Sequence, residues 1–257
     1  MDTILLRTNN LSKSFGGIEA NKSISITIEK GKITALIGPN GSGKTTFINL
    51  VSGLLRATTG TIVFEDVDIT NLEPHVRALM GIARTFQRIR LFESLNVLEN
   101  VVIARKKFIA CGFLDVIFHT HKFRASEKDT YEAAYNLLEK LNLSSDIDRK
   151  PSELPYGKRR LLEIARALAL EPKLLMVDEP AAGMTQLEYS ELARLLRELV
   201  SQGITILLVE HTMDFVKDVA DKVYVLSFGQ VIAQGTFDEI QCDPAVISAY
   251  LGEEVVT

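Results

Sequence analysis

Cysteine is scarce: Cys111 and Cys242 are the only two in 257 residues and form no C-x-x-C pair. That excludes a secreted disulfide scaffold and points to a reducing compartment, with both thiols expected as small buried or half-buried apolar residues. Met1–Arg7 lacks a basic start, a continuous apolar stretch and a small-residue cleavage site, so no secretory signal is expected. The most membrane-like run, Phe108–Phe118, carries Asp115 and falls well short of the ~20 apolar residues a bilayer span needs. Charge of one sign is also missing. The net charge is −4 and the pI about 5.7, which leaves no overall electrostatic footprint for nucleic acid or anionic lipid. Internal repeats and low-complexity tracts are absent.

What is present is the composition of a globular protein, 46% hydrophobic and 24% charged. A chain of this length forms one or two domains and buries roughly 70–75% of its unfolded surface without a metal or disulfide staple. Ser23–Ile28 alternates apolar and polar residues, and after Lys30-Gly31-Lys32 the apolar run Ile33–Ile37 follows, a pattern that predicts a half-buried hairpin. A helix is expected from about Gly43 to Gly53, then a strand over Thr61–Phe64. From about Val97 to Leu143 the apolar spacing is helical, as in Ala133, Leu137, Leu138 and Leu141, and predicts a helical subdomain. Beyond Pro155 the pattern alternates: helix Lys158–Leu170, strand Leu174–Val177, helix Leu187–Val200, strand Ile204–Val209. These apolar runs are of the kind buried on both faces of a parallel sheet. Val223–Leu226 and Val231–Ala233 form a predicted hairpin about Ser227–Gln230.

The strongest motif is Gly38-Pro39-Asn40-Gly41-Ser42-Gly43-Lys44-Thr45, which fits G-x-x-x-x-G-K-[ST] between a predicted strand and a predicted helix. Glycines let backbone N–H groups turn inward around phosphates, and the helix N-terminus adds a favourable dipole. Lys44 can reach the outer phosphates, and the Thr45 hydroxyl can ligate Mg²⁺. Far downstream, Leu174–Val177 runs into Asp178-Glu179-Pro180. A buried strand ending in carboxylates delivers them to the sheet edge where the phosphate loop sits. Asp178 can then hold the Mg²⁺ shell, and Glu179 can polarise an attacking water. His211 is the one histidine that follows a strand, beside acidic Glu210. His119 and His121, two apart, would face different sides of a helix and make a poor metal pair.

Together these residues resemble the ATP-binding subunits of the ABC transporter superfamily over nearly the whole chain. The resemblance implies an α/β fold of P-loop NTPase type, with a mixed-sheet core, an N-terminal antiparallel β subdomain and a helical subdomain. It implies a single ABC nucleotide-binding domain over 1–257, with the core in 1–96 and 155–257 and the helical subdomain at about 97–154. ATP and Mg²⁺ are the implied ligands, held along Gly38–Thr46, with Thr46 closing the loop. Gln87, in Arg84-Thr85-Phe86-Gln87, is similar to the Q-loop glutamine, which contacts Mg²⁺ and the membrane-facing subdomain. Phe15, in Lys13-Ser14-Phe15-Gly16-Gly17, resembles the aromatic platform for adenine, and no guanine-reading Asn-Lys-x-Asp motif is present. His211 resembles the switch histidine that touches the γ-phosphate. Ala181-Ala182-Gly183-Met184-Thr185 stands at the D-loop.

Leu154-Pro155-Tyr156-Gly157-Lys158 stands where the family's Leu-Ser-Gly-Gly-Gln signature belongs, the motif that reaches the partner subunit's nucleotide. Pro155 has neither hydroxyl nor N–H, so at least two donors are lost, while Gly157 and the following helix N-terminus remain and Lys158 is a new cation. The expectation is an asymmetric heterodimer with a related ATPase that supplies a fuller signature.

Arg84–Phe92, Val97–Val101, Asp178–Gly183 and the ending Ala249–Gly252 look particularly like the larger ATPase subunit of branched-chain amino acid importers. Importers of urea and short-chain amides share these marks. Such ATPases work at the cytoplasmic face of the cell membrane with two permeases and an external substrate-binding protein, and no nucleic acid is implied. A soluble ABC ATPase would show two P-loops or a long heptad coiled coil, and neither is present. Glu179 with His211 argues against a regulator that binds nucleotide without hydrolysing it. Residues 104–128 hold six lysines or arginines and two acids, read as a solvated helix face over a subdomain core, with contact to lipid head groups or a permease loop as the alternative.

Overall fold

The computed structural model describes residues 3–105 and 121–251. Cys111, His119, the Phe108–Phe118 run and Gly252 lie outside them, as does much of the basic segment 104–128. Two compact units emerge, one formed by Met1–Arg84 with Lys173–Thr257, the other by Thr85–Pro172. The second spans more residues than the helical subdomain at about 97–154 that the resemblance implies.

In the first unit, strands β1 (Ile4–Phe15), β2 (Ile18–Ile24), β3 (Thr27–Glu29), β5 (Thr59–Phe64) and β6 (Val67–Asp68) make an antiparallel sheet. Strands β4 (Ile33–Ile37), β7 (Ile82–Arg84), β8 (Leu174–Asp178), β9 (Thr205–Val209), β10 (Lys222–Ser227) and β11 (Gln230–Gly235) form a second sheet in the order β11-β10-β4-β9-β8-β7. Only the β10–β11 hairpin in it is antiparallel.

The hairpin expected over Ser23–Ile37 does not form. β3 pairs with β1, whereas β4 lies between β9 and β10 in parallel. Ile33–Ile37 is apolar on both faces and fully buried, so a central parallel position accommodates it where a half-exposed hairpin would leave one face wet. Gly31, at φ +69°, turns the chain from one sheet to the other. Leu36 packs with Leu174, Met176, Leu207 and Val209 on one side of the sheet. Ala35 and Ile37 pack with Val216, Val223 and Val225 on the other.

Helix α1 (Lys44–Val51) follows β4 directly and buries Phe47, Ile48, Leu50 and Val51. Its last carbonyls are capped from α2 (Pro74–Met80). Arg77, almost wholly buried, donates from Nη1 to Leu50 O at 2.7 Å and Val51 O at 2.8 Å, and from Nη2 and Nε to Thr70 O and Leu72 O at 2.9 Å each. Burial pulls the guanidinium pKa down, but the four carbonyls replace the water it has lost.

The second unit holds α3 (Val97–Arg105), α4 (His121–Lys140) and α5 (Tyr156–Leu168), which pack on one another. Val97, Val101, Ala134, Leu138, Leu162 and Ala165 are buried among them. Tyr156–Leu168 therefore belongs with the second unit, where it packs on α3 and α4.

The remaining helices, α6 (Gln186–Ser201), α7 (Met213–Val219), α8 (Phe237–Gln241) and α9 (Pro244–Leu251), return to the first unit. Thr185 and Glu188 start α6 with a reciprocal capping box. Cys242, expected to be at least half-buried, is exposed just after α8, since the apolar contacts of this stretch go to Ile240 instead. No helix among the described residues is long and apolar enough to cross a membrane.

Removing the Arg77 clamp strands four carbonyls, those of Leu50 and Val51 buried and those of Thr70 and Leu72 half-buried. Arg77→Met is expected to lower the unfolding free energy by about 3 kcal/mol in urea denaturation followed by circular dichroism. A loss below about 1 kcal/mol would show that water satisfies those carbonyls as well as the guanidinium does.

Candidate active site

Parallel strands end together. β4 leads into Gly38, β7 ends at Arg84, β8 at Asp178 and β9 at Val209, and the register pairs Leu36 and Asp178 each with Val209. The loops that leave this edge carry Gly38–Thr46, Asp178–Ala181 and Glu210–Thr212, so residues far apart in sequence meet along it.

The phosphate loop tolerates only glycine at two of its turns. A Cβ on Gly38, φ +146°, would collide with the Leu226 carbonyl, and one on Gly43, φ +103°, with the Ala20 carbonyl. Asn21 donates from Nδ2 to Gly43 O at 3.1 Å, which ties strand β2 to the loop. Lys44 is 7% exposed and its Nζ donates to Gly38 O at 2.5 Å, Pro39 O at 2.9 Å and Ser42 Oγ at 3.4 Å. The ammonium thus lies within the loop. Asn40, Gly41 and Thr45 are exposed and Thr46 is half-buried at the start of α1, while Pro39 and Ser42 are buried. Phe15 ends β1 at 46% exposure, with Lys13 Nζ 5.1 Å from its ring centre, an open aromatic face beside the hairpin that touches the loop.

Asp178 closes β8 with its side chain buried, and Arg84 Nη2 approaches its Oδ2 at 3.4 Å. Arg84 also donates from Nη1 to Asn49 Oδ1 at 2.7 Å and Ser52 Oγ at 3.1 Å. One guanidinium therefore fastens the ends of β7, β8 and α1 together. Glu179 is half-buried and adopts φ +47°, an uncommon conformation for a side-chain-bearing residue. Its N–H donates to Val209 O at 2.9 Å, which continues the β8–β9 pairing into the loop. His211 has a side chain 54% exposed, with Nδ1 3.8 Å from Glu210 Oε2.

Gln87 and Leu154–Lys158 belong to the second unit. Gln87 is exposed, and the residue before it is held at both main-chain polar groups. Phe86 N–H donates to Glu163 Oε1 at 3.0 Å, and Phe86 O accepts from Arg160 Nη1 at 2.6 Å. Arg160 and Glu163, both buried in α5, pair at 2.7 Å. Arg166, one turn further on, donates to the Arg90 carbonyl and stacks 4.7 Å over Phe92. Burial lowers the Arg166 pKa, and Glu163 offsets part of that.

Pro155 precedes α5 without a side-chain cap, Leu154 and Gly157 are buried, and Tyr156 is partly exposed at its first position. Lys158, the new cation at this position, is paired. Its Nζ donates to Asp146 Oδ2 at 2.6 Å, and Arg149 adds a second contact to that carboxylate at 3.1 Å.

Sequence reasoning assigned no role to Arg84, Glu210, Arg160, Glu163 or Asp146. The signal for Glu210 and Glu163 was a lone acid in or after an apolar stretch, which announces burial but not the partner.

Residues 21–182 match the ABC transporter family, and residues 230–256 match the branched-chain amino acid ATP-binding cassette transporter family. Among curated proteins, the high-affinity branched-chain amino acid transport ATP-binding protein LivG of Salmonella typhimurium is 40% identical over 254 residues, covering 98% of this chain and 100% of that one. The probable LivG of Archaeoglobus fulgidus is 44% identical over 253 residues, covering 97% and 96%. BraF of Pseudomonas aeruginosa is 38% identical over 254 residues, covering 98% and 100%. A crystal structure of a nucleotide-free ATP-binding cassette from an ABC transporter superposes with TM-score 0.85 at 38% identity, covering 96% of this chain and 99% of that one. The ADP conformation of such a cassette gives TM-score 0.85 at 38% identity, covering 97% and 99%.

The Lys158–Asp146 pair has a definite pH signature. The Lys158 hydrogen bond, ahead of the Lys158 and Arg149 charges, holds the Asp146 carboxyl below its ordinary value of 3.8. Its stabilisation is therefore full above that value and lost as pH falls through the lowered one. Asp146→Asn is expected to be less stable than the parent chain at about pH 7, with the gap closing below about pH 4 in urea titrations. A gap that stays constant into acid would remove charge as its cause.

Proposed function

The chain belongs to the ABC transporter family, and from that premise we propose that it hydrolyses ATP to energise import of branched-chain amino acids, working at the cytoplasmic face of the membrane. The observation that carries the reading is the single sheet edge at which the phosphate loop, Asp178, Glu179 and His211 converge. The family match over 230–256 supports the cargo class.

The residues present suit Mg²⁺. Thr45 offers an exposed hydroxyl and Asp178 a carboxylate, both hard oxygen donors. Thr45 and Asp178 would hold the ion, which would offset the negative charge of the phosphates.

The chain's own groups do the rest. Phe15 stacks on adenine, and the N–H groups of Gly38–Thr46 with Lys44 receive the phosphates. Glu179 accepts a proton from the attacking water and His211 positions the γ-phosphate for in-line displacement. Leu154–Lys158 faces the nucleotide of a second ATPase subunit. That site is weaker than the one on this chain's own loop, because Pro155 supplies neither hydroxyl nor N–H and Asp146 engages Lys158. The working unit is accordingly a heterodimer with a related ATPase, docked on two permeases and fed by an external binding protein, with Gln87 and the helical unit passing closure to the permeases.

In the assembled complex, Glu179→Gln is expected to keep ATP binding and to lower kcat by about 100-fold or more. Hydrolysis at the parent rate would remove Glu179 from the chemistry. Radiolabelled leucine, isoleucine or valine is expected to accumulate in cells expressing the complex, and not in cells carrying Glu179→Gln. Uptake of urea or short-chain amides instead would sink the cargo assignment while leaving the ATPase untouched.

A further inference from the structure

Glu210 stands at the converging edge, between Val209 and His211, and takes no part in the steps proposed for Glu179 and His211. It follows an apolar, fully buried strand, and it is itself 0% exposed. A carboxylate is costly in such a place unless hydrogen bonds replace its water. Three main-chain donors do so. Oε1 accepts from Ala181 N–H at 3.0 Å, while Oε2 accepts from His211 N–H at 2.9 Å and Thr212 N–H at 3.2 Å.

The two oxygens serve different loops. The bonds to His211 and Thr212 are local, and by themselves they would only shape the entry to α7. The bond to Ala181 crosses 29 positions of sequence and is not needed for that. It reaches the loop that begins with Glu179, two residues earlier. We propose that Glu210 is a positioning residue for hydrolysis, a buried carboxylate that locks the Glu179 loop and the His211 loop into one register. A neutral side chain could fill the space. It could not accept from both loops, because the arrangement needs two acceptor oxygens aimed in different directions.

This rests on the reading that Glu179 and His211 act on water and γ-phosphate, and the test separates the two ideas. Glu210→Gln changes almost no volume, yet its amide has one acceptor and must turn an NH₂ toward one set of N–H donors, so one loop is released whichever way it flips. Glu210→Asp keeps charge and both oxygens but is a methylene too short to span the loops, and it carries the test should the glutamine variant not fold. In the complex with its membrane partners, each variant is expected to lower kcat for ATP about tenfold while KM stays within about twofold. The melting temperature and the affinity for a fluorescent ATP analogue should stay close to the parent's.

In a His211→Ala background, Glu210→Gln is expected to cost less than about twofold more, since a group that acts through the histidine loop has little left to position. Parent-like kcat in both Glu210 variants, with turnover lost in His211→Ala, would overturn the proposal and leave the site reading intact. A parallel fall of kcat, nucleotide affinity and melting temperature would also overturn it, marking Glu210 as structural only. Parent-like turnover in His211→Ala would overturn the site reading first, and the positioning role with it.

Discussion

Everything at the candidate site depends on parallel strands being buried on both faces and ending at one edge. Because Ile33–Ile37, Leu174–Asp178 and Thr205–Val209 are entirely buried, their register is fixed by packing above and below the sheet, and the loops leaving them have little freedom in where they begin. The polar groups that follow are thereby placed by apolar residues. This is why short polar links suffice to finish the site: the Glu179 N–H to Val209 O bond, the Arg84 guanidinium on Asp178, and the Glu210 carboxylate between two loops.

The second unit solves a similar problem with buried charge. No residue of its segment from Phe86 to Asn96 is fully buried, and the segment is held by side chains from two helices. Arg160 and Glu163 take the Phe86 main chain, Arg166 takes the Arg90 carbonyl, and the buried Asn100 amide bonds Phe92 at both N–H and C=O. Such links are directional where apolar contacts are not. They give the stretch beside Gln87 a defined path without a strand or helix of its own, and they make that path a property of the helix that follows the signature.

Legibility in the sequence followed the range of the interaction. The phosphate loop, its helix and the strand before it are local, and spacing alone located them. Asp178 and Glu179 were readable because an apolar run that stops at two acids implies a buried strand end. The hairpin expected over Ser23–Ile37 shows the limit: alternation and a Gly-containing turn are local signals, but the choice between pairing back on Ser23–Ile28 and joining β9 and β10 is made by partners more than 150 positions away. Lys158 shows it for charge. Lys158 reads from the sequence as a new cation, and its pairing with Asp146, twelve positions earlier, is set by the fold.

By itself, then, the sequence determined the candidate groups, a glycine-rich loop between strand and helix, two acids after an apolar run and a histidine after a strand, and in what order along the chain they occur. It also determined the class of sheet, since hydrophobic runs without alternation must be covered on both sides. Tertiary structure decided the assembly. Which strand lies beside which, how far the helical unit extends, and which buried carboxylate or guanidinium clamps which loop all depend on contacts between distant segments. Their free energy exists only once the backbone has brought both partners out of water, so no pattern within a single segment can encode them alone.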